Sequence, residues 1–221
     1  MLHLNNKKKE KKRGAPGFDA WAKIRYVLDS LNKNFKRHYT PSRNISIDES
    51  LVGMKNRCVY IQYLKNKRHS RFGVKKFELC DVNGYVYHVA LYAGKDFDIR
   101  CRQGQAHAVV IELLKAGKLL NKGYHLYTDR FYTRPALALE LYKKKTFITG
   151  TTMSNAKGMP AGMNNKLDIG ASRYKRKGRL LAVGFREKKS QTKPVILIST
   201  SHRAKSAVKQ IRGKEKACYD I

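Results

Sequence analysis

Two acidic motifs stand out in a chain that otherwise avoids acid. They are Ile45-Ser46-Ile47-Asp48-Glu49-Ser50-Leu51 and Tyr124-His125-Leu126-Tyr127-Thr128-Asp129-Arg130-Phe131-Tyr132-Thr133. Each places an Asp at the end of a short strand-like run, where a carboxylate can face a cleft at a sheet edge. Two such carboxylates on neighbouring strands can hold Mg²⁺. An ion of that kind, set against a phosphate backbone, is the working part of metal-dependent phosphoryl transfer. The third carboxylate that such a site wants has no evident motif.

The charge balance names the class of partner. Among 221 residues, 48 are Lys or Arg and 16 are Asp or Glu, giving a net charge of +32. An excess of that size favours a polyanion, and nucleic acid leads because counterions released from phosphates drive the binding of basic proteins. A membrane surface is the weaker alternative, since neither an amphipathic basic helix nor a lipidation motif is present. No apolar run is long enough to span a bilayer, and the first residues lack the apolar core of a signal peptide. Cys58, Cys80, Cys101 and Cys218 never form a Cys-x-x-Cys pair. They read as buried or incidental thiols in a reducing compartment rather than as a disulfide framework or a zinc finger.

The elements that must carry the two aspartates follow from periodicity. Residues 1–17 read as a basic, disordered arm, with Lys7–Arg13 suited to nuclear import or DNA contact and Gly14-Ala15-Pro16-Gly17 as a breaker. A helical lead-in occupies 18–44, where Trp21, Ile24, Val27, Leu28, Leu31 and Phe35 form one buried stripe. Strands are predicted at Ile45–Leu51, Lys75–Asp81 and Tyr85–Tyr92, the last two joined at Asn83-Gly84. A helix carries Ala106, Val109, Val110, Leu113 and Leu114 and stops at Gly117. A strand over Tyr124–Thr128 leads into Asp129, and Thr133 caps a helix with Pro135 in its first turn. Strand Thr146–Thr152 follows, then an irregular insertion at about 153–178, then a hairpin of Leu180–Phe185 with Val195–Thr200. Residues 201–221 read as a loose basic tail. Strands linked by hairpins and then by helices describe an α/β fold, a mixed sheet flanked by helices over 45–200. The ribonuclease-H-like fold has this order, and in it the first and fourth strands lie side by side, bringing Asp48 and Asp129 together.

At these residues the chain resembles the piggyBac-type transposases and the proteins derived from piggyBac transposable elements. The matching pieces are Tyr39-Thr40-Pro41 leading into Ile45–Glu49, Asn56-Arg57-Cys58 followed by Tyr63 and Asn66-Lys67, Phe72–Lys75, Tyr92-Ala93-Gly94, and Gly123–Thr133. They run from about Leu28 to about Thr200. The resemblance implies a DDE/D transposase core that uses three aspartates and two Mg²⁺ ions, with Mn²⁺ as a substitute. It also implies insertion into DNA at TTAA and a homodimer in the full-length family. By motif, Asp48 is the first catalytic and metal-binding aspartate and Asp129 the second. Lys216-Ala217-Cys218-Tyr219-Asp220-Ile221 looks like the lead-in to the third, with Asp220 preceding that motif rather than completing it. Arg130 and Arg134 stand where the family usually has Asn and Ser. Most of the family's N-terminal dimerisation region, and its cysteine-rich zinc module, are not matched in these residues.

Three expectations follow. With two aspartates the site holds Mg²⁺ weakly or not at all, and the chain binds DNA without cutting it. Glu49 is no substitute, because adjacent strand residues point to opposite faces, and Arg130 repels Mg²⁺ and pairs with the carboxylates. DNA contact falls to Lys65, Lys67, Arg68, Arg71, Lys75 and Lys76, interleaved with aromatics, and to Arg173, Lys175, Arg176, Lys177 and Arg179. A nuclear location goes with that role. The alternatives are an active metal-dependent core within a longer parent protein, and a basic nuclear or RNA-associated structural protein. His107 and His125 read as structural histidines within a helix and a strand.

Overall fold

The computed structural model describes residues 10–55, 58–65, 71–97, 99 and 101–204, together with the backbone of 206–211 and 214–219. The chain divides into two compact units, Met1–Lys118 and Leu119–Ile221.

The first unit holds helix α1 (Ala22–His38), strands β1 (Asn44–Gly53), β2 (Ile61–Tyr63), β3 (Phe72–Asp81) and β4 (Val86–Leu91), and helix α2 (Gln105–Ala116). Strand β3 is the hub, pairing antiparallel with β1, β2 and β4. The predicted Asn83-Gly84 turn joins β3 to β4, with Gly84 at a φ of 82°. Alternation puts Ile45, Ile47, Phe77 and Leu79 on one face of the β1–β3 pair, where none is more than 1% exposed. Helix α2 packs on β3 and β4 and buries Val109, Val110, Leu113 and Leu114. Each such side chain contributes about 1.5–3 kcal/mol by leaving water. The helix stops at Gly117, as predicted, and Gly117 N–H bonds the Leu113 carbonyl.

Asp81 fastens the entry into this sheet. Its carboxylate accepts hydrogen bonds from the Tyr39 hydroxyl at 2.5 Å, the Ser42 hydroxyl at 2.5 Å and the Ser42 amide at 3.0 Å. Tyr39 also stacks on Tyr85 with ring centroids 4.1 Å apart. The segment after α1 is therefore held by one carboxylate where it turns into β1. Before α1, Lys11 donates to the Pro16 carbonyl and Arg13 pairs with Asp96 at 2.9 Å. The described part of the predicted arm is thus tied to the first unit by specific contacts.

The second unit holds β5 (His125–Thr128), α3 (Pro135–Lys143), β6 (Phe147–Thr152), β7 (Ser172–Lys177), β8 (Leu180–Phe185) and β9 (Val195–Ser199), then β10 (Ser206–Ile211) and β11 (Lys214–Tyr219). The strand order is β5-β6-β9-β8-β7. The β5–β6 pair is parallel and spanned by α3; every other pair is antiparallel, so the sheet is mixed. Leu126, Leu137, Leu141, Ile148 and Ile198 are completely buried and form the centre of this unit.

Several elements differ from the sequence expectation. The apolar stripe of α1 is not buried: Ile24, Val27 and Leu31 are exposed, and α1 instead buries Asn32, whose side chain bonds the Val89 backbone of β4. Residues 172–177 form β7 rather than irregular chain, because Ser172–Lys177 pairs residue by residue with Phe185–Leu180. The ladder supplies what the polar, basic sequence does not signal. Ser206–Ile211 and Lys214–Tyr219 pair as the antiparallel strands β10 and β11 rather than forming a loose tail. The cap of α3 is Arg134, not Thr133. Thr133 bonds the preceding turn instead.

Candidate metal and nucleic-acid sites

Asp48 is the fifth of ten residues in β1, not the end of a strand as its motif suggests. The strand runs on to Gly53 because β3 extends back to Phe72 and pairs with it throughout. Asp48 is exposed, on the face opposite Ile45 and Ile47. Its Oδ1 accepts the Glu49 amide at 2.8 Å. Directly across the ladder stands Glu78, which sequence reasoning did not single out. Opposed residues on antiparallel strands share a face, so the two carboxylates point the same way. Glu78 is held by Lys76 at 2.5 Å, from two residues along β3. Next on that face is Cys80, whose thiol is pushed up to about 11 by burial first and then by the Glu78 and Asp48 charges. It stays protonated at neutral pH, although the side chain is only half-buried. Only the register could have revealed Glu78, because its own motif carries no chemistry.

Asp129 leaves β5 into a tight turn and is exposed. Its Oδ1 accepts the Phe131 amide at 2.9 Å, which fixes the carboxylate against its own backbone. The Asp129 carbonyl accepts the Thr133 amide at 3.0 Å and the Thr133 hydroxyl at 2.7 Å. Thr133 is fully buried and lies 2.7 Å from the Thr128 hydroxyl. Gly150, paired with Thr128 on β6, leaves room for this knot: a Cβ there would strike the Thr128 carbonyl and the Thr133 hydroxyl. Arg130 does not pair with a carboxylate among the described residues, contrary to expectation. Its carbonyl accepts Arg134 Nη1 and its side chain is exposed.

Asp48 lies in the first unit and Asp129 in the second. Among the described residues no group of three His, Cys, Asp or Glu side chains is placed to hold a metal ion. Asp220 lies outside the described residues.

The basic residues sort by what already holds them. Lys65 and Arg71 are exposed, whereas Lys67 and Arg68 lie outside the described residues. Lys75 sits over the Phe77 ring at 4.8 Å and Lys76 pairs with Glu78. On β7, Arg173 donates to the Gly162 carbonyl, Lys175 to the Ala161 carbonyl and Arg176 to the His202 carbonyl. Lys177 and Arg179 are exposed and carry no such bond among the described residues. His125 bonds Thr149 Oγ1 at 2.9 Å through Nε2, and Thr149 in turn meets Ser199 Oγ at 2.8 Å. His107 is 6% exposed within α2. Both positions suit the structural reading.

The model of the family described as transposase IS4 matches residues 1–219. The chain belongs to that family. Its fold is also that of a solved family structure, the piggyBac transposase synaptic complex with hairpin DNA determined by cryo-EM. The TM-score is 0.77 at 26% identity, over 89% of this chain and 41% of the other. The chain thus spans well under half the length of that transposase. The α/β architecture is ribonuclease-H-like, as in the piggyBac catalytic domain. A structure of Marinitoga piezophila Argonaute with 5′-OH guide RNA matches at 9% identity and a TM-score of 0.31, over 76% of this chain and 24% of that one. No fold relationship follows from a score of that size.

Proposed function

We propose that this family member is a DNA-binding, transposase-derived domain in which Asp48 and Asp129 are each, by motif, a metal-binding carboxylate of the phosphoryl-transfer type. We further propose that these 221 residues bind DNA, at TTAA-type sites, without cutting it. The observation that carries the reading is the match to a transposase solved in complex with DNA. Family membership over residues 1–219 and a charge of +32 support it.

The donor set suits the ion. Exposed carboxylate oxygens are the hard ligands that Mg²⁺ and Mn²⁺ prefer. When bound, the metal polarises a phosphodiester and lowers the pKa of an attacking water or hydroxyl. The protein's part is placement. The Phe131 amide fixes one oxygen of Asp129 and leaves the other for the ion. Asp48 is presented rigidly from the middle of a fully paired strand. Lys65, Arg71, Lys177 and Arg179 supply exposed cations for phosphates. Two aspartates are a thin set for Mg²⁺, which demands near-octahedral geometry and gives up its water reluctantly. That is the reason to expect binding without cleavage.

The test incubates the purified chain with labelled TTAA-containing duplex in Mg²⁺, Mn²⁺ or EDTA, beside an Asp48→Ala, Asp129→Ala double variant. The expected result is equal, salt-sensitive binding by both proteins and no cleavage. Metal-dependent cleavage lost in the variant would confirm the carboxylate site and overturn the claim of inactivity. Tighter binding to RNA than to duplex DNA would overturn the choice of partner.

A further inference from the structure

The second unit carries a groove of about 740 Å³ that no part of the carboxylate reading uses. Its volume falls in the range of about 300–1,000 Å³ usual for small-ligand sites. It lies between the start of α3, the turn at 157–160 and the strands β7, β8 and β9. The floor is apolar, built from Leu139, Met159, Pro160, Leu180 and Ile198. Leu139 is 47% exposed, on the face of α3 opposite the buried Leu137 and Leu141, and so is open to the groove. The rim is cationic, made by Lys157, Lys175, Arg176 and Lys177. Lys175 and Arg176 are anchored to the Ala161 and His202 carbonyls, which fixes the wall. Lys157 and Lys177 have no carboxylate partner among the described residues and leave their charge for a ligand.

Apolar floor and cationic rim together define the occupant. It must present a flat apolar body with anionic groups on its flanks, and it must suit a protein of net charge +32. A duplex offers phosphates along its length, but its apolar base faces are stacked away. An unpaired nucleotide offers both: a base to lie on the floor and flanking phosphates for the rim. The position is apt as well. The groove begins at Pro135, the first residue of α3, and the Asp129 turn ends one residue earlier at Arg134. Gly158, at a φ of 89°, lies close to Pro135, since a Cβ added there would sit 3.4 Å from the Pro135 Cβ. DNA held in the groove is therefore held beside the segment that carries the second aspartate.

We propose that this groove is a binding site for an unpaired nucleobase of a DNA strand, with the flanking phosphates on Lys157 and Lys177. The proposal rests on the DNA-binding reading above and adds a requirement for single-stranded character.

The test compares three DNAs of equal phosphate count: a blunt duplex, the duplex with a short overhang containing 2-aminopurine, and the same overhang made abasic. Binding is read by anisotropy, and burial of the base by 2-aminopurine fluorescence. The overhang is expected to bind about three- to tenfold tighter than its abasic counterpart, the scale of taking part of one base's apolar surface out of water against an aliphatic floor. Leu139→Lys adds a cation while spoiling the floor, so it should erase that preference and leave blunt-duplex binding intact or slightly tighter. The abasic comparison needs no variant, so it holds even if Leu139→Lys folds poorly. Equal affinity for base-containing and abasic overhangs would overturn the groove proposal while leaving duplex binding standing. Failure to bind any of the three at low salt would overturn the DNA-binding reading itself. Leu139-dependent binding to phosphatidylglycerol vesicles, without preference for the overhang, would assign the groove to a lipid and sink the proposal.

Discussion

Asp48 and Glu78 face each other across the β1–β3 ladder, with Lys76 holding the Glu78 carboxylate at 2.5 Å. A metal ion at Asp48 would feel that second carboxylate at close range, and Lys76 opposes it. Removing either charge should therefore shift metal affinity in opposite directions. Glu78→Gln is expected to weaken Mn²⁺ binding and Lys76→Met to strengthen it, each about two- to fivefold, the scale of a partly exposed charge pair. Electron paramagnetic resonance titration of Mn²⁺ on the DNA-bound protein reads this. Identical affinities in all three proteins would show that Glu78 plays no part in the metal's environment.

The Asp129 turn depends on a missing side chain. Gly150 sits where a Cβ would strike the Thr128 carbonyl and the Thr133 hydroxyl, both part of the knot that sets the turn. Gly150→Ala should force β5 and β6 apart and cost about 1–3 kcal/mol or more, as overpacking does. Denaturant unfolding measures it. A variant as stable as the parent would mean the parallel pair yields at no cost, and the turn is not pinned as described.

The half-buried His88 and the buried Asp81 divide the acid response of the first unit into separate windows. Burial chiefly, and the Lys36 charge to a smaller degree, push the His88 imidazole down to about 4. A His with a lowered folded pKa loses stability as pH falls from its unfolded value, about 6.5, through 4. For Asp81, burial acts upward, but hydrogen bonds from Ser42, Tyr39 and the Val82 amide outweigh it and hold the carboxyl at about 2. Its contribution is complete above the unfolded value, about 3.9, and is lost as pH falls through 2. Unfolding free energy measured against pH should fall in two steps. His88→Leu should flatten the upper step and Asp81→Asn the lower. A single step unchanged by both substitutions would refute this account.

How much of this was legible beforehand depends on what each feature required. Helix α2 and the Asn83-Gly84 hairpin were readable because period and turn chemistry act locally. The two aspartate motifs were readable through family resemblance, but the position of Asp48 within β1 was not. Its strand extends because β3 begins at Phe72, a long-range pairing that no local pattern records. Strand β7 was hidden for the same reason. Ser172–Lys177 has almost no apolar residue and is a strand because β8 pairs with it. Glu78 and the groove were invisible for a third reason, since both are products of register and packing between distant segments. Charge composition pointed to nucleic acid, yet it could not say which cations are free. Arg173, Lys175 and Arg176 spend donors on backbone carbonyls, a use indistinguishable in sequence from phosphate binding.

That division of the β7 cations gives the last prediction. Lys177 and Arg179 are exposed and hold nothing among the described residues, so each is available for one phosphate. Neutralising one phosphate contact changes the slope of log K against log salt by about 0.9 for duplex DNA. Lys177→Ala and Arg179→Ala should each reduce that slope by about 1 and leave the melting temperature unchanged. Arg176→Ala should do the reverse. Its guanidinium bonds the His202 carbonyl at 2.5 Å, so its loss should lower stability by about 1 kcal/mol and move the slope little. Equal slopes in the parent, Lys177→Ala and Arg179→Ala would remove β7 from the DNA interface. A full slope change in Arg176→Ala with no loss of stability would mean its bond to His202 gives way to phosphate, and the free and anchored classes would then be one.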